Sequence, residues 1–236
     1  MSTEVKIVPL VSIKEQNFAR NVFDSVWPMA VGTEITSNLM QAMVHNGAYL
    51  SGAFLGDECI GASFSFPGTT NGLHLHSHMT AVLGKFRNRG IGYALKIDQW
   101  HWAKENNYKE ITWTFDPLVR RNAKLNLLKL AVDISAYHTN FYGPMADALN
   151  AGDETDRVVA SWAVFGEEPI SRNAILDPHS TDILISIPED IVAIREQDMK
   201  ESLKWRHKVR EQFVESLANG GKVIGFSKNN EYVVRI

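Results

Sequence analysis

Apolar and polar positions along this chain fall into short blocks, most of which read as a single element. Lys6 to Val11 is an apolar run that predicts a strand. Ser12 is placed to cap a helix that starts near Lys14 and runs to about Trp27, where Pro28 and Gly32 break the pattern. Thr36 to His45 predicts a second helix. Tyr49 to Leu55 and Cys59 to Phe66, joined by Gly56-Asp57, predict a β-hairpin. A turn-rich loop from Pro67 to Gly72 leads into Leu73 to Leu83, which alternates and is rich in β-formers. Ile91, Leu95 and Trp102 then share one face of a helix reaching Asn106. Glu110 to Phe115 reads as a strand ended by Asp116-Pro117, and Arg120 to Leu130 as a helix. After an irregular patch with Gly143-Pro144, Val158 to Val164 reads as another strand.

The remainder has a different texture. Glu167 to Pro178 is linker-like, Thr181 to Ile187 predicts a strand, and Pro188-Glu189-Asp190 opens a helical region. There Trp205, Val209, Phe213 and Leu217 recur every fourth residue until Gly220-Gly221 ends the run. Val223 to Ser227 and Tyr232 to Ile236, around Lys228-Asn229-Asn230, predict a closing hairpin. The expected organisation is a core over residues 1–165 and an extension over 166–236, packed on the core through its apolar stripe.

Composition narrows the classes. The chain has 236 residues, 44% hydrophobic and 22% charged, ordinary values for a globular protein with one good-sized core. A formal net charge of -3 argues against general nucleic-acid binding, which wants a positive excess. No apolar run approaches a bilayer span and the first residues lack a signal-peptide layout, so no membrane partner and a cytoplasmic home are expected. Cys59 is the single cysteine, read as a buried structural thiol.

The chemistry concentrates between Leu73 and Asn106. Arg87-Asn88-Arg89-Gly90-Ile91-Gly92 lies between a predicted strand and a predicted helix. Glycines let backbone N–H groups approach an anion, a helix start adds free N–H groups, and two guanidiniums add forked donors. The stretch reads as a pyrophosphate cradle. It is not a P-loop, because no Lys-Ser or Lys-Thr follows, nor a Rossmann turn, because the third glycine is replaced by Leu95.

R-x-x-G-x-G after a strand resembles the acyl-CoA signature of the GNAT acyltransferase superfamily. The order strand, two helices, hairpin, strand, helix, strand, helix, strand over residues 1 to 165 resembles that fold too. ITWTFDPLVRRNAKLNLLKLAV followed by NFYGPM looks like a branch of that superfamily with an extended C-terminal part. The resemblance implies an α+β three-layer fold, with a mixed, mostly antiparallel sheet containing a splayed parallel strand pair and flanked by helices. It implies acetyl-CoA, or another acyl-CoA, as co-substrate and no metal. The acceptor would be a small-molecule or peptide amine, with a homodimer as the assembly state it allows.

By position, Met79, Ala81 and Val82 would bond the pantetheine arm. Arg87, Asn88, Arg89, Gly90, Ile91, Gly92 and Tyr93 would hold the pyrophosphate. The tyrosine that many GNAT enzymes place in the helix after the second strand is missing, and Leu127 falls near its position. Asn122 and Asn126, one turn apart, would bond the pantetheine or sulfur region or stand as helix polar residues. Tyr142 is the replacement acid, with Tyr137 and His138 behind it. For the base, His74, His76 and His78 alternate onto one strand face, and His76 and His78 are the candidates. Asp24 and Glu34 are weaker rivals. The same HxH spacing admits a metal hydrolase, and the missing tyrosine admits a silent CoA-binding module. Trp27, Trp113, Phe115 and Trp162 read as an aromatic pocket or, more simply, core. Lys204, Arg206, Lys208 and Arg210 read as a solvated face within reach of a CoA 3′-phosphate.

Overall fold

The computed structural model describes residues 4–29, 32–70, 72–145, 152–170 and 175–236. In chain order the elements are β1 (Val5–Pro9), α1 (Ile13–Val26), α2 (Ser37–His45), β2 (Tyr49–Leu55), β3 (Glu58–Gly68), β4 (His74–Val82), α3 (Ile91–Glu105) and β5 (Glu110–Phe115). They continue as α4 (Arg120–Ala123), β6 (Asp133–His138), β7 (Arg157–Ala163), β8 (Ile183–Ser186), α5 (Ile191–Gln197), α6 (Met199–Ala218), β9 (Lys222–Phe226) and β10 (Glu231–Arg235). Seven strands order as β1-β2-β3-β4-β5-β7-β6 and three as β8-β10-β9. The β1–β2, β2–β3, β3–β4 and β6–β7 pairs are antiparallel and β4–β5 is parallel. This is the mixed, mostly antiparallel α+β sheet expected.

Two compact units divide the chain. The first is Met1–Trp113 with Ala163–Pro169, and the second is Thr114–Trp162 with Ile170–Ile236. In the first, α1 begins at a capping box in which Ser12 and Glu15 satisfy each other's backbone N–H. Strand alternation sends Leu50, Ala62, Phe64, Met79 and Ala81 to one face, packed with Ala19, Val22 and Phe23 of α1 and Met40 of α2. Ala53 and Ile60 face the other way, with Phe86, Ile91 and Leu95. Gly61 lets α3 settle closely there. A Cβ on it would stand 3.0 Å from the Ala81 carbonyl oxygen and 3.2 Å from Leu95 Cδ1.

In the second unit, α6 buries Ser202, Arg206, Val209, Phe213 and Ser216. Phe213 stacks on Tyr137 at 5.3 Å and meets Tyr232 edge-on at 5.0 Å. Three local expectations change. The helical region after Asp190 is two helices, because Asp198 turns extended and caps α6 by accepting from the Lys200 and Glu201 N–H groups. The helix expected over Arg120–Leu130 has a single α turn, then a π-helix over Lys124–Lys129. The patch before β7 contains β6, which pairs with it through Tyr137↔Val158 and His138↔Arg157.

Candidate functional site

The site is built where β4 hands the chain to α3. After Val82 a short turn over Gly84–Phe86 buries the Phe86 ring as an anchor. Arg87, Asn88, Arg89 and Gly90 follow, all exposed. Asn88 at φ 63° and Gly90 at φ 80° both take the left-handed conformation, which glycine and asparagine adopt at least cost. The Arg89 guanidinium lies over the Phe86 ring, 5.4 Å from its centroid. Helices α1, α2, α5 and α6 each receive a side-chain cap, from Ser12, Thr36, Asp190 and Asp198. Helix α3, like the single-turn α4, has none, and no acidic residue lies in its first turn. Its leading N–H groups and positive dipole end therefore stand beside two guanidiniums with no anion of the helix's own to satisfy them.

The strand before this cradle is irregular in a useful way. Among the described residues, parallel pairing of β4 with β5 covers Leu75↔Ile111 and His76↔Thr112, and Ser77 to Val82 continue without that partner. On its other side β4 pairs β3 through Ser65↔Ser77 and then Phe64↔Met79, so His78 is the extra residue of a β-bulge. The bulge keeps Met79 and Ala81 buried on the α1/α2 face and leaves His78 exposed, while Val82 is half-buried.

The three histidines share that face but not one environment. His74 bonds the Gly72 carbonyl through Nδ1 at 2.9 Å and fills the space over Gly68, where a Cβ would meet its Nε2 at 2.4 Å. It is a packing residue. The Phe66 ring packs on both of the others, 5.1 Å from His76 and 5.5 Å from His78, which are themselves 6.0 Å apart. His76 Nδ1 is 3.4 Å from Thr112 Oγ1. Loss of solvation, then the neighbouring His78, His74 and Lys96, pushes His76 from its ordinary 6.5 down to about 4. Partial loss of solvation beside the Phe64 and Phe66 rings also lowers His78, although part of its surface stays exposed. Both imidazoles are therefore neutral near pH 7, and His76, depressed to about 4, is the poorer proton acceptor of the two. Among the described residues no group of three or more His, Cys, Asp or Glu is arranged to hold a metal ion.

A stability signature follows. Between about pH 6.5 and 4 the unfolded chain takes up the proton that folded His76 refuses, so stability is lost as pH falls through that window. The loss is on the order of 1–3 kcal/mol. Urea melts at pH 7 and 5 should show a smaller drop for His76→Gln than for the parent chain. Equal drops would mean that His76 titrates normally.

No protein-family model matches the sequence, and no curated protein does. Solved structures do. The acetyltransferase of GNAT family from Streptococcus pneumoniae is 15% identical with a TM-score of 0.50, over 69% of this chain and 100% of that one. Naa50 of Arabidopsis thaliana, in complex with the bisubstrate analogue CoA-Ac-MVNAL, is 19% identical with a TM-score of 0.53, over 66% and 97%. The ribosomal-protein-S18-alanine N-acetyltransferase of Escherichia coli is 9% identical with a TM-score of 0.54, over 70% and 96%. Each neighbour is spanned almost end to end. The chain has the GNAT fold.

On this GNAT frame the other expected residues lie in the second unit. Asn126 is buried in the π-helix and its carbonyl accepts from the Val132 N–H, while Asn122 is half-buried in α4. Leu127 is buried too, and as a leucine it brings no proton donor. Tyr142 is 41% exposed, and its hydroxyl shares a hydrogen bond with Thr114 Oγ1 at 2.9 Å. The Arg157 guanidinium lies 5.4 Å from the centre of its ring. Tyr137 is otherwise engaged. Its hydroxyl donates to Asp156 at 2.5 Å, and burial with that carboxylate pushes it far above the ordinary tyrosine range.

The basic run on α6 is not one solvated face. Arg206 is 1% exposed and pairs with Asp116 at 2.6 Å and Asp153 at 2.8 Å. Arg195 joins the same two carboxylates, and Arg210 pairs with Asp156 and Glu154. Lys204 and Lys208 are exposed. Lys96 and Gln99 of α3 are both buried, and helical periodicity alone does not single them out. A signal for them exists on another element. In Ser63-Phe64-Ser65-Phe66 the serines alternate with rings, so one face of β3 is lined with hydroxyls that need polar partners.

Proposed function

We propose that the protein is an acyl-CoA-dependent acyltransferase of the GNAT superfamily, moving an acyl group, acetyl foremost, from CoA to an amine of a small molecule or peptide. The observation that carries this reading is the uncapped start of α3, flanked by Arg87 and Arg89, at the end of a strand that has left its parallel partner. A diphosphate suits the N–H groups of Ile91, Gly92 and Tyr93. The backbone edge of β4 from Met79 to Val82 suits an amide-bearing arm. The bisubstrate analogue bound by Naa50 joins CoA to a peptide, and supports a peptide amine as one acceptor class.

In the reaction the amine nitrogen attacks the thioester carbonyl, a C–N bond forms, the C–S bond breaks and CoA leaves as a thiolate. His78, neutral near pH 7, receives the amine proton directly or through water, with His76 behind it as the weaker candidate. Tyr142 is the proposed proton donor to the thiolate. No metal is required, because the thioester is already activated.

Arg87→Ala with Arg89→Ala should weaken CoA binding by roughly 1–3 kcal/mol for each charge-assisted hydrogen bond removed. Isothermal calorimetry with CoA reads this directly. An unchanged Kd in the double variant would remove the cradle assignment, and with it the acyl-CoA reading. A chain that binds CoA but transfers no acyl group to any amine in a broad panel would be a CoA-binding module instead.

A further inference from the structure

Behind the bulge, on the α3 side of the sheet, lies a set of polar groups that the proposed chemistry does not use. Lys96 is 4% exposed, and its Nζ donates to Ser77 Oγ at 2.7 Å and Gln99 Oε1 at 3.0 Å. The same nitrogen sits 3.5 Å from the centre of the Trp113 ring. Gln99, wholly buried, turns its amide N–H groups to Ser63 Oγ at 3.1 Å and Ser65 Oγ at 2.5 Å. Ser63 Oγ in turn shares a hydrogen bond with Thr80 Oγ1 at 2.9 Å.

These hydroxyls are not scattered. Ser65 and Ser77 face each other in the last β3–β4 pair before the bulge. Ser63 and Thr80 face each other on the far side of it, Thr80 lying two residues past His78 on β4. The two α3 side chains thus grip β3 and β4 on both sides of His78. A slip of one residue would send His76 and His78 to the opposite face, and a bulge is where such a slip starts. A buried lysine is costly, and apolar residues of the same length would fill the space more cheaply, whereas fixing register is the best-attested use of buried polar groups.

We propose that Lys96 and Gln99 are positioning residues, which pin the β4 bulge at His78 and tie it to the helix that opens on the phosphate cradle. The inference rests on the acyl-CoA reading. Helix α3 carries Gly90, Ile91 and Gly92 at one end and the grip about one to two turns later, so the anion site and the bulge are set by one rigid element.

The test uses the full chain with Lys96→Met, Ser77→Ala, their combination, and Ser77→Thr, which keeps the hydroxyl. Two quantities are read: amide hydrogen exchange at Ser77–Thr80, and release of CoA thiol from acetyl-CoA with water and a panel of primary amines. Lys96→Met and Ser77→Ala should each speed exchange by roughly tenfold or more and lower kcat by about as much, with the KM for acetyl-CoA nearly unchanged. The combination should be no worse than the poorer single variant, and Ser77→Thr should recover most of the rate. Unchanged exchange at Ser77–Thr80 overturns the proposal, and so does faster exchange with a full kcat. If Lys96→Met does not fold, Ser77→Ala and Ser65→Ala carry the same comparison. A parent chain that releases no CoA overturns the acyl-transfer reading and this role together. An active parent with unaffected variants overturns this role alone.

Discussion

Arg206→Met should destabilise the protein by about 3–5 kcal/mol, the usual cost of breaking a buried ion pair by removing one partner. Arg206 faces Asp116 and Asp153, and both carboxylates are buried with it. Without it, Arg195 would remain bonded to both carboxylates, with the Leu118 N–H on Asp116 and the Ser202 hydroxyl on Asp153. Burial pushes Asp116 up, but Arg206 foremost, with Arg157 and the Leu118 N–H, holds it down at about 2 against an ordinary 3.8. The sign follows from that depression. In the parent chain Asp116 contributes stability that is present above about pH 4 and lost as pH falls toward 2. In the variant burial acts unopposed by Arg206, so the deficit should be widest at neutral pH and shrink on acidification. Melting at pH 7 and pH 3 checks both size and sign, with Tm at pH 7 falling by roughly 10 °C. A variant with an unchanged Tm at pH 7 would show that the cluster contributes no net stability.

Tyr142→Phe should lower kcat by roughly 10²-fold while CoA affinity stays nearly intact, as expected for loss of a general acid. The substitution removes only the hydroxyl bonded to Thr114 Oγ1 and leaves the ring against Phe141 and under Arg157. Packing should therefore hardly change, and Tm serves as the control. The measurement is acetyl-CoA turnover where the chemical step limits the rate. Full kcat there would leave Tyr142 as a packing residue. Tyr137 could not replace it readily, because its proton is committed to Asp156.

Legibility in the sequence follows burial. Cys59–Phe66 and Leu73–Leu83 are readable as strands because their buried positions are numerous and their turns carry glycine. The loop from Arg87 to Gly92 is readable because glycine and arginine have few other reasons to adjoin a helix start. β6 escapes because none of its residues is buried, so Asp133–His138 has no apolar rhythm to detect. The π-helix escapes because a one-residue expansion of the turn leaves no compositional trace. Arg206 and Lys96 escape for a stronger reason. A charged side chain on a helix is nearly always solvated, and only the fold reveals that Asp116, distant along the chain, waits for one of them. The bulge at His78 is equally hidden, since it is a property of two strands in register.

The order in which the chain is made bears on how it folds. Arg206 follows Asp116 by 90 residues. At about 5–20 residues per second on the ribosome, Asp116 emerges roughly 5–18 s before its partner. The first unit also waits, because Trp100 Nε1 donates to the carbonyl of Ala163 and the Val164 N–H to that of Lys109. Neither unit is therefore complete when its first long segment leaves the tunnel. The nascent protein must hold exposed carboxylates and half-formed sheet edges until late segments arrive, and that interval is a natural point for chaperone attention.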